Sequence, residues 1–172
     1  MRQIILVAIF FLTLASCTET SKIGFIDNAE LINKYQMKID LETKYEGLNE
    51  KFTQRMDSLS KQFQAEVIEF QSKEKTMSPT QLQEVYQQLG AKQQTLQQQY
   101  QVEQQQLEKA FQTEIDSVIS KVKKFVKNYG EKNNYTYILG GNEAGSVMYG
   151  DKSSDITETI TEALNKAYKE EK

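Results

Sequence analysis

The side chains that could do chemistry are few in this 172-residue sequence, because it contains no histidine and a single cysteine, Cys17. That composition excludes metal sites built from histidine and cysteine, and it excludes the common catalytic triads that depend on histidine. A lone cysteine also cannot form an internal disulfide. We therefore expect no catalytic site, no metal site and no cofactor, and we predict that the chain is not an enzyme.

Cys17 lies at the end of a predicted export signal. Arg2 provides an early positive charge, residues 4–14 form an apolar stretch with one threonine, and small residues follow, as export signals require. The apolar stretch is too short to span a bilayer, which takes roughly 20 residues. The letters LASC at residues 14–17 resemble a bacterial lipobox, which predicts removal of a signal peptide at 1–16 and acylation of Cys17. The alternative is an ordinary cleaved signal in which Cys17 has no role.

An exported chain of this kind is expected in the periplasm of a Gram-negative bacterium, where acyl groups on Cys17 would anchor it to a membrane. Residues 17–21 are few and mostly polar, which predicts a short tether between the lipid and the folded part. The net charge of −3 argues against nucleic acid as the main partner, since nucleic-acid binders carry basic surfaces.

A long helical hairpin is the element that would position any other functional side chain. Residues 28–129 contain one proline, Pro79, between two arms that are rich in lysine, glutamate and glutamine. In the first arm a narrow apolar stripe at helical spacing consists of Tyr45, Leu48, Phe52, Met56, Leu59, Phe63, Val67 and Phe70. Such a stripe suits a seam between two helices better than a globular core. The pattern predicts two antiparallel helices that fold back at Pro79.

The turn between the arms has its own sequence signal at residues 76–79. Ser78 and Gln81 form a capping box of the S-x-x-Q type, and Pro79 stands at the first helical position, where its missing N–H costs nothing. Folding the arms about this turn brings their apolar rows into contact. The expected pairs are Tyr45 with Phe111, Leu48 with Leu107, Leu59 with Leu96, Val67 with Leu89 and Phe70 with Val85.

The same register leaves glutamine in the seam. It places Phe63 opposite Gln93 and Phe52 opposite Gln104, and polar residues there forfeit apolar burial worth roughly 1.5–3 kcal/mol per large side chain. Gly90 adds a helix penalty of up to about 1 kcal/mol. We therefore predict a hairpin that is helical but pliant in its outer two-thirds.

The remaining residues, 22–27 and 130–172, predict a small β-rich body. Gly130 fits the cap that ends the second arm. The other predicted elements are strands at 22–27, 135–139 and 146–149, a hairpin-type turn at 140–143, and a short amphipathic helix after Asp155. Three short strands and one short helix bury too little apolar surface to stand alone, and open strand edges invite pairing with other copies. We therefore expect this body to oligomerise.

The order of these features resembles the OmpH or Skp family of periplasmic chaperones. The matching segments are IGFID at 23–27, Met77 and Ser78 at the tip, and DIT at 155–157, and the resemblance covers residues 22–168. It implies an α+β fold, mainly α, in a jellyfish-like homotrimer. Three chains would share a β-rich trimerisation body, and each would contribute a long antiparallel coiled-coil hairpin as a tentacle. It also implies an ATP-independent holdase that binds unfolded outer-membrane proteins and prevents their aggregation.

Two features depart from the pattern of that family. Its well-known members are basic, whereas this chain has a net charge of −3, and a lipobox is not a feature of the soluble members. A chain that keeps the fold but adds the lipobox would be a membrane-tethered chaperone.

The resemblance implies that clients contact the hairpin outside its seam. The candidate client-binding residues are Met77, Tyr86, Lys51, Arg55, Lys61, Lys73 and Lys75. Promiscuous binders use adaptable surfaces of this kind. The alternative is that the lysines form a solvated face and that the aromatic side chain packs between the helices. A second candidate function, from a different class, is a structural envelope lipoprotein whose coiled coil acts as a spacer or scaffold.

Overall fold

A computed structural model describes residues 21–141 and 147–171. The predicted signal peptide, Cys17 and residues 142–146 lie outside the described residues. The elements are β1 (Ile23–Asp27), α1 (Asn28–Lys34), α2 (Gln36–Lys73), a 3-10 turn (Glu74–Thr76), α3 (Pro79–Lys132), β2 (Tyr137–Gly141), a second 3-10 turn (Lys152–Ser154) and α4 (Thr157–Glu171). These elements confirm the predicted fold class, which is α+β and mainly α, with a long helical hairpin on a small body.

The hairpin consists of α2 and α3, with 38 and 54 residues. At 1.5 Å per residue these helices are about 57 and 81 Å long. The turn between them is closed by the predicted capping box, in which Ser78 Oγ accepts a hydrogen bond from Gln81 N at 3.4 Å, and Gln81 Oε1 accepts one from Ser78 N at 3.0 Å. Pro79 opens α3 at a position where no N–H is needed. None of the helices in the described ranges combines the length and the apolar character that a membrane span requires.

The first arm is broken at its base. The helix that begins at Asn28 ends at Lys34, and Tyr35 adopts extended backbone (φ −74°, ψ 118°) before α2 starts. Asn165 of α4 spans the break, because its Nδ2 donates to Lys34 O at 3.0 Å and its Oδ1 accepts from Gln36 N at 2.7 Å. These bonds satisfy two backbone groups at a helix end and a helix start, which otherwise need an outside partner.

The second arm ends later than the sequence predicts. α3 passes through Gly130 and continues to Lys132, and the left-handed residue after it is Asn134, with φ 57°. Gly130 is buried against β2, where a Cβ would lie 3.2 Å from Ile138 Cδ1. The prediction that Gly130 caps the helix is therefore wrong: the glycine permits a close approach between α3 and the sheet.

The sheet is parallel and places β1 at its centre. β1 pairs with β2 in parallel, with Phe25 beside Leu139. The other edge of β1 is held by the segment that leads into α4, where Ile156 N donates to Phe25 O at 3.0 Å and Thr157 Oγ1 accepts from Asp27 N at 2.9 Å. Parallel strands need a long crossover, and here the whole hairpin provides it.

The strand predictions after the hairpin need correction. The strand predicted at 135–139 is shifted to β2, so that Gly140 and Gly141 belong to a strand instead of a turn. The backbone of Gly140 passes so close to Asn28 that a Cβ would lie 2.5 Å from its Nδ2, so a larger residue at position 140 would displace the Asn28 side chain. Residues 147–149, predicted as part of a third strand, are not in a strand; the rest of that strand and turn lies outside the described residues.

The core lies in the body and in the lower hairpin. Leu31 of α1, Val118 of α3 and Ile160 of α4 are fully buried. The cluster around them extends along the hairpin as far as Tyr45 and Phe111. One compact core thus joins four helices and the sheet at one end of the molecule.

Farther along the hairpin the seam is thin. Among the described residues beyond Tyr45, Phe52 and Phe70 are the buried hydrophobic side chains of the two arms. The other residues of the predicted stripe, such as Leu59 and Val67, are half-buried or exposed. The outer hairpin therefore has the narrow seam that the sequence predicts.

Candidate functional site

Three aromatic pairs join the arms at successive levels. The pairs, with ring centroids 5.2, 5.2 and 4.9 Å apart, are Tyr45 with Phe111, Phe52 with Tyr100, and Phe70 with Tyr86. Such pairs are worth about 0.5–1.5 kcal/mol beyond the area they bury. They support the predicted antiparallel register from the base of the hairpin to its tip.

The middle pair is a contact that the predicted register does not include. That register places Gln104 opposite Phe52, and Gln104 Nε2 donates to Glu108 Oε1 on its own helix at 3.3 Å. Tyr100, one helical turn closer to the tip, covers the Phe52 ring, and Phe52 is only 8% exposed. The register predicted from the sequence pairs residues at the same level of the two arms. It did not include this contact, because the long side chain of a tyrosine reaches across one helical turn.

Ion pairs between the arms accompany the aromatic pairs. They are Lys44 with Glu114, Arg55 with Glu103, and Lys92 with Glu66. At the lowest level Glu114 accepts hydrogen bonds from Lys44 Nζ at 2.7 Å and from Tyr45 Oη at 2.8 Å. These two bonds lower the pKa of Glu114, with Lys44 the larger cause.

The tip places two of the predicted client-binding residues close together. Met77 is half-buried and lines a groove of about 330 Å³ with Phe70, Val85 and Leu89. Tyr86 packs its ring edge-on against Phe70 and is 56% exposed. The tip therefore presents an apolar groove beside a partly exposed aromatic ring.

Tyr86 also has a structural role at the tip. Its hydroxyl donates to Glu74 Oε1 at 3.0 Å, and this hydrogen bond raises the pKa of Tyr86. Glu74 belongs to the 3-10 turn between α2 and α3. Tyr86 thus links the turn to the second arm. This agrees with the alternative interpretation of Tyr86 as a residue that packs between the helices.

The predicted basic residues divide into two groups. Arg55 is paired with Glu103 across the seam, and Lys73 is paired with Glu69 on its own helix at 2.6 Å. Lys51, Lys61 and Lys75 are exposed and form no ion pair within the described part of the chain. Lys73 borders the tip groove, and Lys51 and Arg55 border a second groove lower on the hairpin. Lys61 and Lys75 border neither.

A further groove, of about 850 Å³, lies on one side of the hairpin near its base. Tyr45, Leu107 and Phe111 provide its apolar lining, and Glu46 and Glu50 are among the acidic residues along it. The sequence predicts the three apolar residues as members of the seam, but it does not predict a groove beside them or a role for the glutamates. The spacing of Glu42, Glu46 and Glu50, one helical turn apart, was the available signal, but their position beside the seam follows only from the register of the arms.

The structure offers no ready coordination site for a metal ion in residues 21–141 and 147–171, since no three acidic or cysteine side chains converge there. The exposed apolar side chains of the body instead form its most prominent chemical feature. Ile23, Tyr137 and Leu139 lie on the same face of the sheet and are 49%, 61% and 45% exposed, and Met148 and Tyr149 nearby in sequence are 89% and 87% exposed.

Comparison with known proteins gives a consistent result. A family model described as "Outer membrane protein (OmpH-like)" matches residues 22–164. A solved structure described as an OmpH-like outer membrane chaperone from Caulobacter crescentus CB15 is similar to this chain with a TM-score of 0.77 and 14% sequence identity. The alignment covers 86% of this chain and 85% of that chain. No curated protein matches the sequence.

Proposed function

Because the chain belongs to the OmpH-like family of outer membrane proteins, whose model matches residues 22–164, we propose that it is a chaperone of the bacterial envelope. In the finer form of the proposal it is an ATP-independent holdase of the periplasm. It binds unfolded outer-membrane proteins and prevents their aggregation, and it does so without catalysis.

The observation that carries the proposal is the open outer hairpin. The core ends near Tyr45 and Phe111, and from Tyr45 to Lys73 the first arm continues for about 40 Å at 1.5 Å per residue. Over that length the arms pack on each other through a narrow seam and leave their remaining surface exposed. A long, thinly packed pair of helices can adjust its shape, and adaptable surfaces are what promiscuous binders use.

The tip and the free cations supply the contacts with clients in this proposal. Met77 and Tyr86 offer apolar surface, and methionine adapts readily to irregular partners. Lys51, Lys61 and Lys75 can pair with client carboxylates without first breaking an ion pair of the described chain. Arg55 and Lys73 are held by Glu103 and Glu69, so we assign them a weaker part in binding than the sequence predicts.

We propose that three copies of the chain assemble into a homotrimer through their bodies. The exposed apolar face of the sheet, with Ile23, Tyr137 and Leu139, supports self-association, since apolar area of this kind is usually covered by a partner. Within the described residues β2 pairs with β1 on one side and has no strand on the other, and an open edge favours pairing with another copy. In the trimer the three hairpins would surround a client.

Acylation of Cys17 completes the proposal and would tether the chaperone to a membrane. The test is the mass of the mature N-terminal peptide from envelope fractions, compared between the parent chain and a Cys17→Ala variant. An acylated peptide in the parent and a protein released from the membrane in the variant are expected. An unmodified parent peptide would favour an ordinary cleaved signal.

The main experiment measures mass in solution and protection from aggregation together. The mature chain without Cys17 is mixed with an outer-membrane barrel protein as the barrel is diluted out of urea, and light scattering follows aggregation. A trimer that delays aggregation at equimolar or lower amounts is the expected result. A dimer that gives no protection would contradict the proposal and favour the structural spacer lipoprotein instead.

A matched pair of variants then tests the tip. Met77→Ser removes apolar surface from the tip groove, and Gln83→Ser makes a comparable change at an exposed position outside that groove. Protection should weaken for Met77→Ser and stay at the parent level for Gln83→Ser. Equal protection by both variants would remove Met77 from the client-binding surface.

A further inference from the structure

The hairpin carries charge of opposite sign on its two sides at the same height. The groove with Tyr45 and Phe111 is bordered by glutamates and by no lysine or arginine. The groove on the other side of the seam is bordered by two basic residues, Lys51 and Arg55, and by one acidic residue, Glu103, which is paired with Arg55. Leu107 lines both grooves, which places them back to back across one seam.

The acidic groove has two distinct walls. From α2 come Glu42, Glu46 and Glu50, which are one helical turn apart and therefore lie on one side of that helix. From α3 come Leu107 and Phe111, which are apolar and half-buried, and one further glutamate, Glu108. A bound chain would meet three of the four carboxylates on the α2 side and the apolar side chains of Leu107 and Phe111 on the α3 side.

Two of the carboxylates are available for a ligand. Glu42 is paired with Lys38 at 2.7 Å, and Glu108 accepts the weak bond from Gln104 described above. Glu46 and Glu50 are exposed and have neither a hydrogen bond nor an ion pair within residues 21–141 and 147–171. Their negative charge is not compensated by any basic side chain that lines the groove.

The spacing of the acidic wall fits an extended peptide. Residues one helical turn apart are separated by about 6 Å along a helix axis, and alternate residues of an extended chain are separated by about 6.6 Å. Over the length of the groove, from Glu42 to Gln54, which is about 18 Å, an extended chain presents about five residues. Successive side chains of an extended chain point in opposite directions. One set can therefore face the glutamates of α2 while the other set faces Leu107 and Phe111.

From these observations we propose that this groove, which we call the acidic groove, binds extended segments in which lysine or arginine alternates with apolar residues. The inference rests on the proposed holdase function and specifies which part of a client is bound. Segments that alternate polar and apolar residues are what the strands of a membrane β-barrel supply, and the acidic groove selects the basic ones among them. The cationic residues face Glu46 and Glu50, and the apolar ones face Leu107 and Phe111.

Peptide binding to the whole mature chain tests the proposal. The probe is a fluorescein-labelled peptide of about seven residues that alternates lysine with valine, and its counterpart alternates glutamate with valine. The lysine peptide should bind more tightly, and added salt should weaken its binding because the carboxylates are exposed. Equal affinity for the two peptides would overturn the proposal.

Charge-neutral variants locate the site. The double variant Glu46→Gln/Glu50→Gln should weaken binding of the lysine peptide about fivefold, the expected size for two exposed ion pairs. The control Glu84→Gln/Glu162→Gln removes the same charge at exposed positions away from the groove and should bind like the parent. Equal weakening in both variants would mean a general charge effect and would overturn the assignment.

Cross-linking identifies the occupant. A photoreactive residue replacing Asn49, which lines the acidic groove, should cross-link to the lysine peptide, and one replacing Gln106 in the opposite groove should not. If the residue at position 49 links two copies of the chain and excludes the peptide, the groove is an interface between copies and the proposal is wrong.

The aggregation assay separates this inference from the function on which it rests. Protection of an unfolded barrel protein with no preference for the lysine peptide would keep the chaperone and overturn the acidic groove as a client site. Selective binding of the lysine peptide without any protection would contradict the holdase function and leave a groove for basic peptides. The two failures therefore have different signatures.

Discussion

The base of the hairpin and its outer part are built from the same apolar repeat, yet they bury it to different extents. Near the base, Leu41 and Val118 are covered by the opposite arm and by the body, and both are buried. In the outer part, Leu59 and Leu96 meet only the opposite arm and remain half-buried. Among the aliphatic residues of the seam, burial thus depends on how many elements cover the side chain, whereas Phe52 and Phe70 are buried in the outer part by aromatic rings of the opposite arm.

This difference in burial gives the two parts of the hairpin different stabilities. The base shares its core with the sheet and with α4, so that its opening would expose the core of the whole body. The outer hairpin can open locally at smaller cost, because regions with few buried apolar contacts open most easily. The holdase that we propose would use both properties, since the base would fix the position of the arms and the outer part would adapt to the client.

The largest expected effect comes from the same substitution at the two levels. Leu41→Ala in the base should lower the free energy of unfolding by about 2–4 kcal/mol, as buried leucines do. Leu59→Ala in the outer part should cost about 1 kcal/mol, because the side chain is only half-buried and its transfer term is correspondingly smaller. Urea unfolding at one fixed protein concentration measures both. Equal losses would contradict the division into a firm base and a thin outer seam.

Asn165→Leu should destabilise the base of the hairpin, so that it opens locally more easily, as the outer part does. The variant removes the bonds to Lys34 O and Gln36 N at the Tyr35 break. Because the bond to Lys34 O is exposed and water can replace it, we expect a loss of about 1 kcal/mol. Hydrogen exchange at the Gln36 amide should accelerate. Lys166→Leu, a change at the exposed neighbouring position, is the control, and faster exchange in both variants would exclude a specific role for Asn165.

Gln93→Leu should stabilise the outer part of the hairpin, so that it opens locally less easily, as the base does. The register predicted from the sequence places Gln93 opposite the half-buried Phe63, and an apolar side chain at position 93 should stabilise the arms by about 1 kcal/mol and slow their hydrogen exchange. Stiffer arms should also narrow the range of clients that are protected. Gln104→Leu is the matched control: Gln104 is exposed, as Gln93 is, but the Phe52 ring opposite it in the predicted register is already covered by Tyr100. Unchanged exchange in the Gln93 variant would refute a pliant seam.

The smallest expected effect is a pH dependence at the base. The pKa of Glu114 is lowered from its usual value of 4.5 by Lys44 and Tyr45. A lowered pKa in the folded state contributes stability that is present above pH 4.5 and is lost as the pH falls further through the folded-state pKa. Glu114→Gln should flatten this acid-side loss in thermal unfolding. An identical pH profile for parent and variant would show that the Lys44–Glu114 contact contributes nothing measurable.

Much of the fold could be predicted from local patterns. The hairpin followed from the helical spacing of its apolar residues, and its turn followed from Ser78, Pro79 and Gln81, whose hydrogen bonds are confirmed. These features depend on residues three or four apart, which contact each other in any helix. The antiparallel register followed from the turn, because a fixed turn leaves little freedom in how two long helices align.

The candidate site was predictable only in part. Met77 and Tyr86 both lie beside Phe70 at the tip, but Arg55 and Lys73 are engaged in ion pairs, one of them across the seam. The acidic groove was missed, because its apolar lining comes from residues that were assigned to the seam alone. A sequence shows which residues are charged, but the partners of a charge depend on the facing helix.

The sequence by itself determined the hairpin, its tip and the small size of the body, because these rest on helical periodicity, capping and composition. Only the tertiary structure decided that β1 pairs in parallel with β2, that Gly140 and Gly141 belong to a strand, and that the first arm is broken at Tyr35. The bond from Asn165 to Lys34 joins residues 131 positions apart. No local pattern encodes such a contact, since it forms only when the folded hairpin brings the two ends of the chain to the same place.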